Sequence, residues 1–372
     1  MDNKLERFVQ AQESSYTQAL SEIVNGKKTG HWIWYVFPQL KGLGRSSNSD
    51  YYGIENANEA VEYLNHPILG PRLREITLSI LTVNYNGLSD TLELIESLYT
   101  HLQDIEYEII VVDNGSKVDE SIAIRDKHPQ VVTIRSEKNL GFAGGNNLGL
   151  TRARGKYVYL INNDTIITDD SVKNLIHTLE EKPDVGLVCP KILYMDDRKI
   201  QFAGYTPMSK ITIRNKVIGN GMDDDGSYDS PSYSAFAHGA AMLIKKELLA
   251  KAGLIPTMYF LYYEELDWSL RIKEAGYNIY YEPNSSILHK ESRTTGKGSP
   301  LREYYISRNK LVFAYRNRKG GARLLSLSYI LLIAYSIRLI KALVRGNFDH
   351  AKARLNGIKD FFKFKKEGKW TK

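Results

Sequence analysis

Residues 156–165 read KYVYLINNDT. Tyr157 and Tyr159 alternate with Val158 and Leu160, the run turns apolar, and it stops at Asn162, Asn163 and Asp164. That pattern predicts a buried strand with a carboxylate at its C-terminal tip. Ligands gather at such tips in open α/β sheets. An acidic tip can hold a divalent cation, and the cation a diphosphate. Taken alone, the stretch reads more readily as a strand followed by an Asn/Asp turn.

Its surroundings repeat the motif. LSILTVNYN (78–86) and YEIIVVDNGS (107–116) are further short buried strands with polar ends, and residues 131–136 are another. Between them, Ser89 or Asp90 is placed to cap a helix with Leu92, Ile95, Leu98 and Leu102 on one face. Downstream, Asp169 or Asp170 is placed to cap a helix over 172–179, and residues 185–190 form a fifth strand. Strand and helix alternate, which predicts an α/β fold with a mostly parallel sheet covered on both faces. Parallel strands would bring three tips to one edge: Asn84 to Asn86, Asp113 with Asn114, and Asn162 to Asp164. There Asp113 could accept from a nucleobase N–H, residues 82–85 could clasp the base, and Asp164 would face the diphosphate.

The run NLGFAGGNN (139–147) is neither a P-loop, because no Gly-Lys-Ser/Thr follows, nor a dinucleotide fingerprint, because it follows the third strand. Its glycines allow close backbone approach to a ligand or to a strand, and a helix start at 144–147 could face an anion. Residues 196–233 are a polar excursion. Within it, Asp223, Asp224 and Asp225 read as a solvated loop rather than a calcium site, since the ligand spacing is missing. His238, Gly239 and Ala240 offer small residues where a sugar could pass, and a helix over 246–251 ends at Gly253.

Tyr259 to Tyr263 is an aromatic run, and Glu264, Glu265 and Asp267 follow within four positions at a helix start. Acids there serve the helix dipole, but one pinned against aromatic rings is desolvated, which raises its pKa and suits a general base. Residues 278–282 and 286–288 read as strands, the second ending at His289, a possible nitrogen ligand.

Length and composition bound these readings. The 372 residues suffice for two domains or one large domain with appendages, and 42% hydrophobic with 25% charged residues is ordinary for a globular protein. The net charge of +7 is concentrated at the end: residues 338–372 hold eleven Lys/Arg against Asp349, Asp360 and Glu367. Such a tail suits an anionic surface, and a lipid surface is preferred to nucleic acid because no recognition motif accompanies it. The lone Cys189 excludes an intrachain disulfide and fits a reducing compartment. The polar first seven residues lack the apolar core of a signal peptide.

Residues 1–76 read as a separate unit. Leu5, Phe8, Val9, Ala19, Leu20 and Ile23 suggest two helical turns parted at Ser14 and Ser15, with a stop at Asn25-Gly26. A helix over 58–64 is halted by Pro67 and Pro71. His31 and His66 read as structural rather than as ligands. The R-F-x-x-A-Q start and HWIWYVFPQLKGLG core (31–44) resemble the first half of a small bacterial family of unknown function.

Over 78–318 the pieces ILTVNYN, VVDNGS, NLGFAGGNN, LINNDT, HGAAML, YYEELDWSLR and LHKES, in that order, resemble glycosyltransferase family 2, with the GT-A fold. The likeness is greatest to its rhamnosyltransferase-like branch, which builds bacterial surface polysaccharides. The resemblance implies a nucleotide site at Thr82, Asn84, Tyr85 and Asp113, with Asn114, Gly141, Asn146 and Asn163 beside them. It implies that Asp164 and His289 hold Mn²⁺ or Mg²⁺, and that Glu265 is the catalytic base with Glu264 and Asp267 as rivals. It also places His238, Gly239 and Ala240 at the acceptor or sugar. Two departures stand out: Asn162 replaces the first acid of the family's D-x-D motif, and Glu265 replaces the usual Asp. The expectation is an inverting, metal-dependent transferase acting on a nucleoside-diphosphate sugar and a glycan or lipid-linked acceptor. The alternative is a nucleotide-sugar-binding protein with impaired catalysis.

Residues 324–337 are apolar but fall short of the twenty or so needed to span a bilayer. With the basic, Phe-bearing stretch behind them, 319–372 read as an amphipathic anchor on the cytoplasmic face of a membrane.

Overall fold

The computed structural model describes residues 4–24, 28–44, 46–74, 78–102, 105–290 and 298–367. The helix stop at Asn25-Gly26, the Leu20 and Ile23 side chains, the 76/77 boundary, Glu291 and Ser292 of LHKES, and the last five basic-tail residues lie outside them. The chain divides into two compact units.

The smaller unit comprises Met1–Ser79, Gln103–Glu108 and Arg154–Tyr157. Its helices are α1 (Glu6–Glu13), α2 (Tyr16–Val24), α3 (Ile33–Val36), α4 (Ser47–Tyr51), α5 (Ala57–Asn65) and α6 (Leu69–Arg74). Phe8, Val9, Ile54, Tyr63 and Leu69 form one small core, and Ala19, Trp32 and Val36 a second. Buried polar groups are matched: Gln12 Nε2 donates to the Tyr35 carbonyl and to the Tyr63 hydroxyl, and Arg7 pairs with Glu59 at 2.8 Å. Pro71 does not halt a helix. It sits in the first turn of α6, where a missing N–H costs nothing. His66 Nδ1 accepts from the Ile68 and Leu69 amides, a capping role.

In the larger unit the chain runs through β1 (Leu78–Asn84), α7 (Leu88–His101), β2 (Tyr107–Asp113), α8 (Glu120–Lys127), β3 (Val132–Arg135), α9 (Gly141–Leu150) and β4 (Tyr157–Ile161). It continues with β5 (Thr165–Ile167), α10 (Val172–Glu181), β6 (Val185–Tyr194), β7 (Ile200–Phe202), β8 (Ser232–Ser234), β9 (Ala241–Lys245) and α11 (Leu248–Ala252). The last elements are α12 (Glu264–Glu274), β10 (Asn278–His289), α13 (Pro300–Asn317), α14 (Gly320–Ser328), a π-helical stretch Tyr329–Ala334, α15 (Tyr335–Val344) and α16 (Phe348–Glu367).

The strands form one sheet in the order β3-β2-β1-β4-β9-β6-β10-β5, with β7 on β6 and β8 on β10. The fold is α/β of the expected class, but the sheet is mixed. β2–β3 and β6–β10 pair in parallel, whereas β9 and β7 on β6, and β5 and β8 on β10, are antiparallel. A parallel crossover needs a dozen or more residues. The three-residue tip between β4 and β5 and the short turn between β6 and β7 are too brief for one.

Several local expectations are corrected. Residues 278–289 form one strand, not two; its register slips between Glu282 and Ser286, opposite Pro190. Pro190 has no N–H for the ladder, so the partner bulges there. Neither Ser89 nor Asp90 caps α7, which starts after Gly87; the Asp90 carboxylate instead accepts from Lys290 at 2.7 Å. Ser171 is the N-cap of α10, and Asp169 accepts from its amide. The acids at 223–225 are not simply solvated: Asp224 and Asp229 pair with the ammonium of Lys191, a buried residue of β6, and Asp223 pairs with Lys199.

The apolar stretch is longer than the sequence suggested. Gly320–Val344 is 25 residues of helix, and by length and composition it could cross a membrane. Ser326, Ile330, Ala334 and Tyr335 face inward onto a core shared with Leu311 and Phe313 of α13. Leu324, Leu325, Leu332, Ile337, Ile340 and Val344 are exposed.

Candidate active site

The three strand tips come together. The Asn114 amide donates to the Asn84 carbonyl at 2.8 Å, and Asn163 Nδ2 reaches Thr91 Oγ1, which itself donates to Asn84 Oδ1. The β5–β10 pairing sets His289 opposite Thr165, and Lys290 N bonds the Asp164 carbonyl. His289 Nε2 therefore stands 3.1 Å from Asp164 Oδ1.

The other His289 nitrogen, Nδ1, lies 2.8 Å from Gln201 Oε1 on β7. With Gln201 accepting from Nδ1–H, Nε2 turns a lone pair toward a carboxylate oxygen. That contact is met either by a proton on Nε2 or by a cation that both atoms ligate. The donor set, one carboxylate and one imidazole, fits a divalent metal whose remaining shell is phosphate oxygen and water. Among the described residues no third His, Cys, Asp or Glu joins them.

The polar excursion supplies more than a loop. Asn162 N donates to the Ala240 carbonyl at 2.8 Å, which ties the acidic tip to the His238-Gly239-Ala240 segment. His238 Nδ1 accepts from the Ala240 amide, and its ring stacks on Tyr205 and leans on Phe202. Burial, and next the neighbouring His289, hold its pKa down to about 3, so the ring is neutral and keeps Nε2–H as a donor. Ala237 N donates to Ser269 Oγ on α12, which joins this segment to the helix of acids.

The three acids on α12 separate clearly. Asp267 is buried and consumed, accepting from the Tyr259 hydroxyl, Arg316 and Asn317 and pairing with Arg271. That makes it a structural anchor. Glu264 is buried, and its Oε2 has no hydrogen-bond partner among the described residues; burial and then Glu265 push its pKa well up. Glu265 is half-buried. Burial raises its pKa to about 7 against the opposing pull of amides at the helix start, which suits a base working near neutrality. Tyr205 and Tyr263 flank it, and its charge adds to burial in raising both phenols.

The loop that presents Glu265 is strained. Phe260, Tyr262 and Tyr263 all have positive φ, +65°, +69° and +79°. L residues hold such angles only when the surroundings impose them. Asn309, fully buried on α13, donates to the carbonyls of Tyr259, Leu261 and Tyr262 at 2.7–2.9 Å. Arg308 adds bonds to Met258 and Tyr259. Gly141 meets the same loop: Phe142 N bonds the Phe260 carbonyl, and a Cβ on Gly141 would lie 2.3 Å from that oxygen.

The residues expected at the nucleotide are mostly committed to one another. Asp113 is fully buried and accepts from the amides of Ser116 and Glu120 and from Arg135, so most of its acceptor capacity is already taken. Asn114 clamps the loop at Asn139–Gly141 by Leu140 N and Gly141 O, and Asn146 bonds Phe142 O within its own helix. Asn84 is held by Glu120 and Thr91. Thr82 is buried with an unpartnered hydroxyl, and Tyr85 is half-exposed at the tip. Gly149 packs with its Cβ position 2.1 Å from Leu81, so that glycine serves helix–strand approach.

Gln201, Tyr205, Arg308 and Asn309 escaped the sequence reading. No motif marks them. Their only trace is one Gln and one Tyr inside an otherwise polar excursion, and an Arg-Asn pair within a helix.

The larger unit is thus a GT-A-like α/β domain with an acidic strand tip and, on α12, a carboxylate whose pKa burial raises. Residues 79–249 match the profile of glycosyl transferase family 2, and residues 2–100 match a family described only as a protein of unknown function (DUF1810). Among relatives, the low-salt glycan biosynthesis hexosyltransferase Agl10 of Haloferax volcanii is 27% identical over 208 residues, 54% of this chain and 63% of that one. The dTDP-rhamnosyl transferase RfbF of Shigella flexneri is 22% identical over 74% of this chain and 94% of its own. S. aureus TarS 1–349 in complex with UDP-GlcNAc shares the fold, with TM-score 0.51, 17% identity, and coverage of 77% of this chain and 80% of that one. The chain spans 25% and 63% of the length of two of its curated relatives.

Proposed function

We propose that residues 77–318 transfer a sugar from a nucleoside diphosphate to an acceptor hydroxyl with inversion, Glu265 acting as base. The observation that carries this reading is a carboxylate with pKa about 7 on the helix that Ser269 ties to the His238 segment, which Asn162 joins to the Asp164–His289 pair. Glu265 removes the proton of the acceptor hydroxyl. The oxygen bonds to the anomeric carbon as the carbon–phosphate oxygen bond breaks, and that electron pair leaves with the diphosphate. Mn²⁺ or Mg²⁺ on Asp164 and His289 would supply charge neutralisation for the leaving group. Gln201 orients His289 for that task. His238 offers Nε2–H to a sugar hydroxyl beside Gly239 and Ala240. Asp267, held by Tyr259, Arg271 and Arg316, anchors the helix that carries the base.

The likeness to RfbF supports rhamnose as donor sugar. The exposed apolar face and basic end of 319–372 support work at the cytoplasmic face of a membrane on a glycan or lipid-linked acceptor. Residues 1–76 form an appendage without an assigned part in the chemistry.

The test is donor hydrolysis across a panel of nucleotide sugars with Mn²⁺. Glu265→Gln is expected to bind donor normally and to turn over about a hundredfold more slowly. Unchanged turnover removes Glu265 from the role. Donor binding without turnover in the wild type would favour the impaired binding protein.

A further inference from the structure

A cavity of about 580 Å³ opens in the larger unit where the loop after β7, the flank of α12 and the α13–α14 junction meet. Four cationic residues line it, Lys210, Lys273, Arg318 and Lys319, and no Asp or Glu does so among the described residues. Of the acids close by, Glu265 faces Tyr205 of the wall, and the other two are already engaged. Asp184 accepts from Tyr233 and Asn278, and Asp267 is held by Arg271, Arg316 and Tyr259.

Lys273 donates to the Ser234 carbonyl and Arg318 to the carbonyls of Ser209, Lys210 and Asn317, so these bonds are to neutral acceptors. Burial alone lowers the pKa of Lys273 and of Arg318, with no carboxylate to offset it. Lys319 is also the N-cap of α14, which no side chain caps, so free amides at a helix start add to the positive field. Four cations and a helix terminus outmatch a single carboxylate and call for a multiply charged anion.

The cavity is not purely polar. Met208, Phe236 and Leu270 share its wall. It opens at the foot of the helix whose Leu324 and Leu325 are exposed. Tyr205, also in the wall, is the phenol that Glu265 perturbs, so the cavity adjoins the reaction centre.

We infer that this cavity binds a phosphoryl or diphosphoryl group attached to an apolar carrier, and that this group belongs to the acceptor. The second clause rests on the transferase reading above. The acceptor's charged end sits among Lys210, Lys273 and Lys319, its carrier runs along the exposed face of 320–344, and its sugar end reaches toward Glu265.

Calorimetry on the full chain at low salt tests this with farnesyl diphosphate, farnesol, inorganic pyrophosphate and phosphatidylglycerol vesicles. Farnesyl diphosphate is expected to bind at least tenfold more tightly than farnesol or pyrophosphate, and to weaken at high salt. Lys210→Gln with Lys273→Gln should cut its affinity tenfold or more and leave vesicle binding and donor hydrolysis unchanged. The proposal is overturned by equal binding of farnesol, by pyrophosphate binding as tightly as the farnesyl ester, or by a double variant with full affinity. Vesicle binding that falls in step with the variant would assign the site to a lipid headgroup instead. A wild type that binds the diphosphate but never hydrolyses donor would keep the site and remove the reaction.

Discussion

Asp164 Oδ1 and His289 Nε2 lie 3.1 Å apart although 125 positions of chain separate them. The antiparallel pairing of β5 with β10 fixes that approach, and Gln201 fixes the ring. Gln201→Leu is expected to weaken Mn²⁺ binding by about 10–100-fold without unfolding the domain. Mn²⁺ titration followed by electron paramagnetic resonance, with nucleoside diphosphate present, reads this directly. An unchanged affinity would detach Gln201 from the metal.

The turnover of the wild type should depend on pH through Glu265. Its pKa lies near 7, and the base works ionised, so kcat rises with pH through that value and levels above it. An acid limb centred near 4.5, the ordinary Glu value, would mean that burial does not tune the base.

Glu264 should make stability fall as pH rises. Its folded pKa is raised, so the folded state holds a proton that the unfolded state releases above about pH 4.5. Stability is full below that pH and is lost as pH climbs toward the folded pKa. Glu264→Gln cannot ionise. Its Tm should match the wild type at pH 4 and exceed it increasingly up to pH 8. A constant gap across that range contradicts the assignment.

Asn309 secures three carbonyls of the strained loop before α12. Asn309→Leu should cost about 2–4 kcal/mol in urea unfolding, since buried carbonyls lose their donors. It should also displace the acid midpoint of kcat, because the loop sets the burial of Glu265. A stability loss with an unmoved midpoint would make Asn309 purely structural.

The outer face of 320–344 should carry membrane attachment. Leu332→Ser with Ile340→Ser removes two exposed apolar side chains and should lower co-sedimentation with anionic vesicles several-fold, with donor hydrolysis intact. Equal sedimentation would move attachment elsewhere.

The sequence by itself determined the alternation of buried runs and helices, hence an α/β sheet, and the polar strand ends that converge on one edge. Those features are local: a strand announces itself by consecutive apolar residues and a helix by spacing. It could rank neither the acids at 264–267 nor the tips, because burial and hydrogen-bond partners come from distant chain. Asp113 looked free and is clamped by Arg135; Asp267 looked catalytic and is neutralised by Arg271 and Arg316. Only the tertiary structure decided that β5, β7, β8 and β9 run antiparallel, that Gln201 and Tyr205 leave a polar excursion for the site, and that Arg308 and Asn309 brace the loop of the base. All of these except β7, which folds back on β6 through a short turn, depend on a partner dozens of residues away, and the desolvation that sets a pKa belongs to the packed molecule rather than to any stretch of chain.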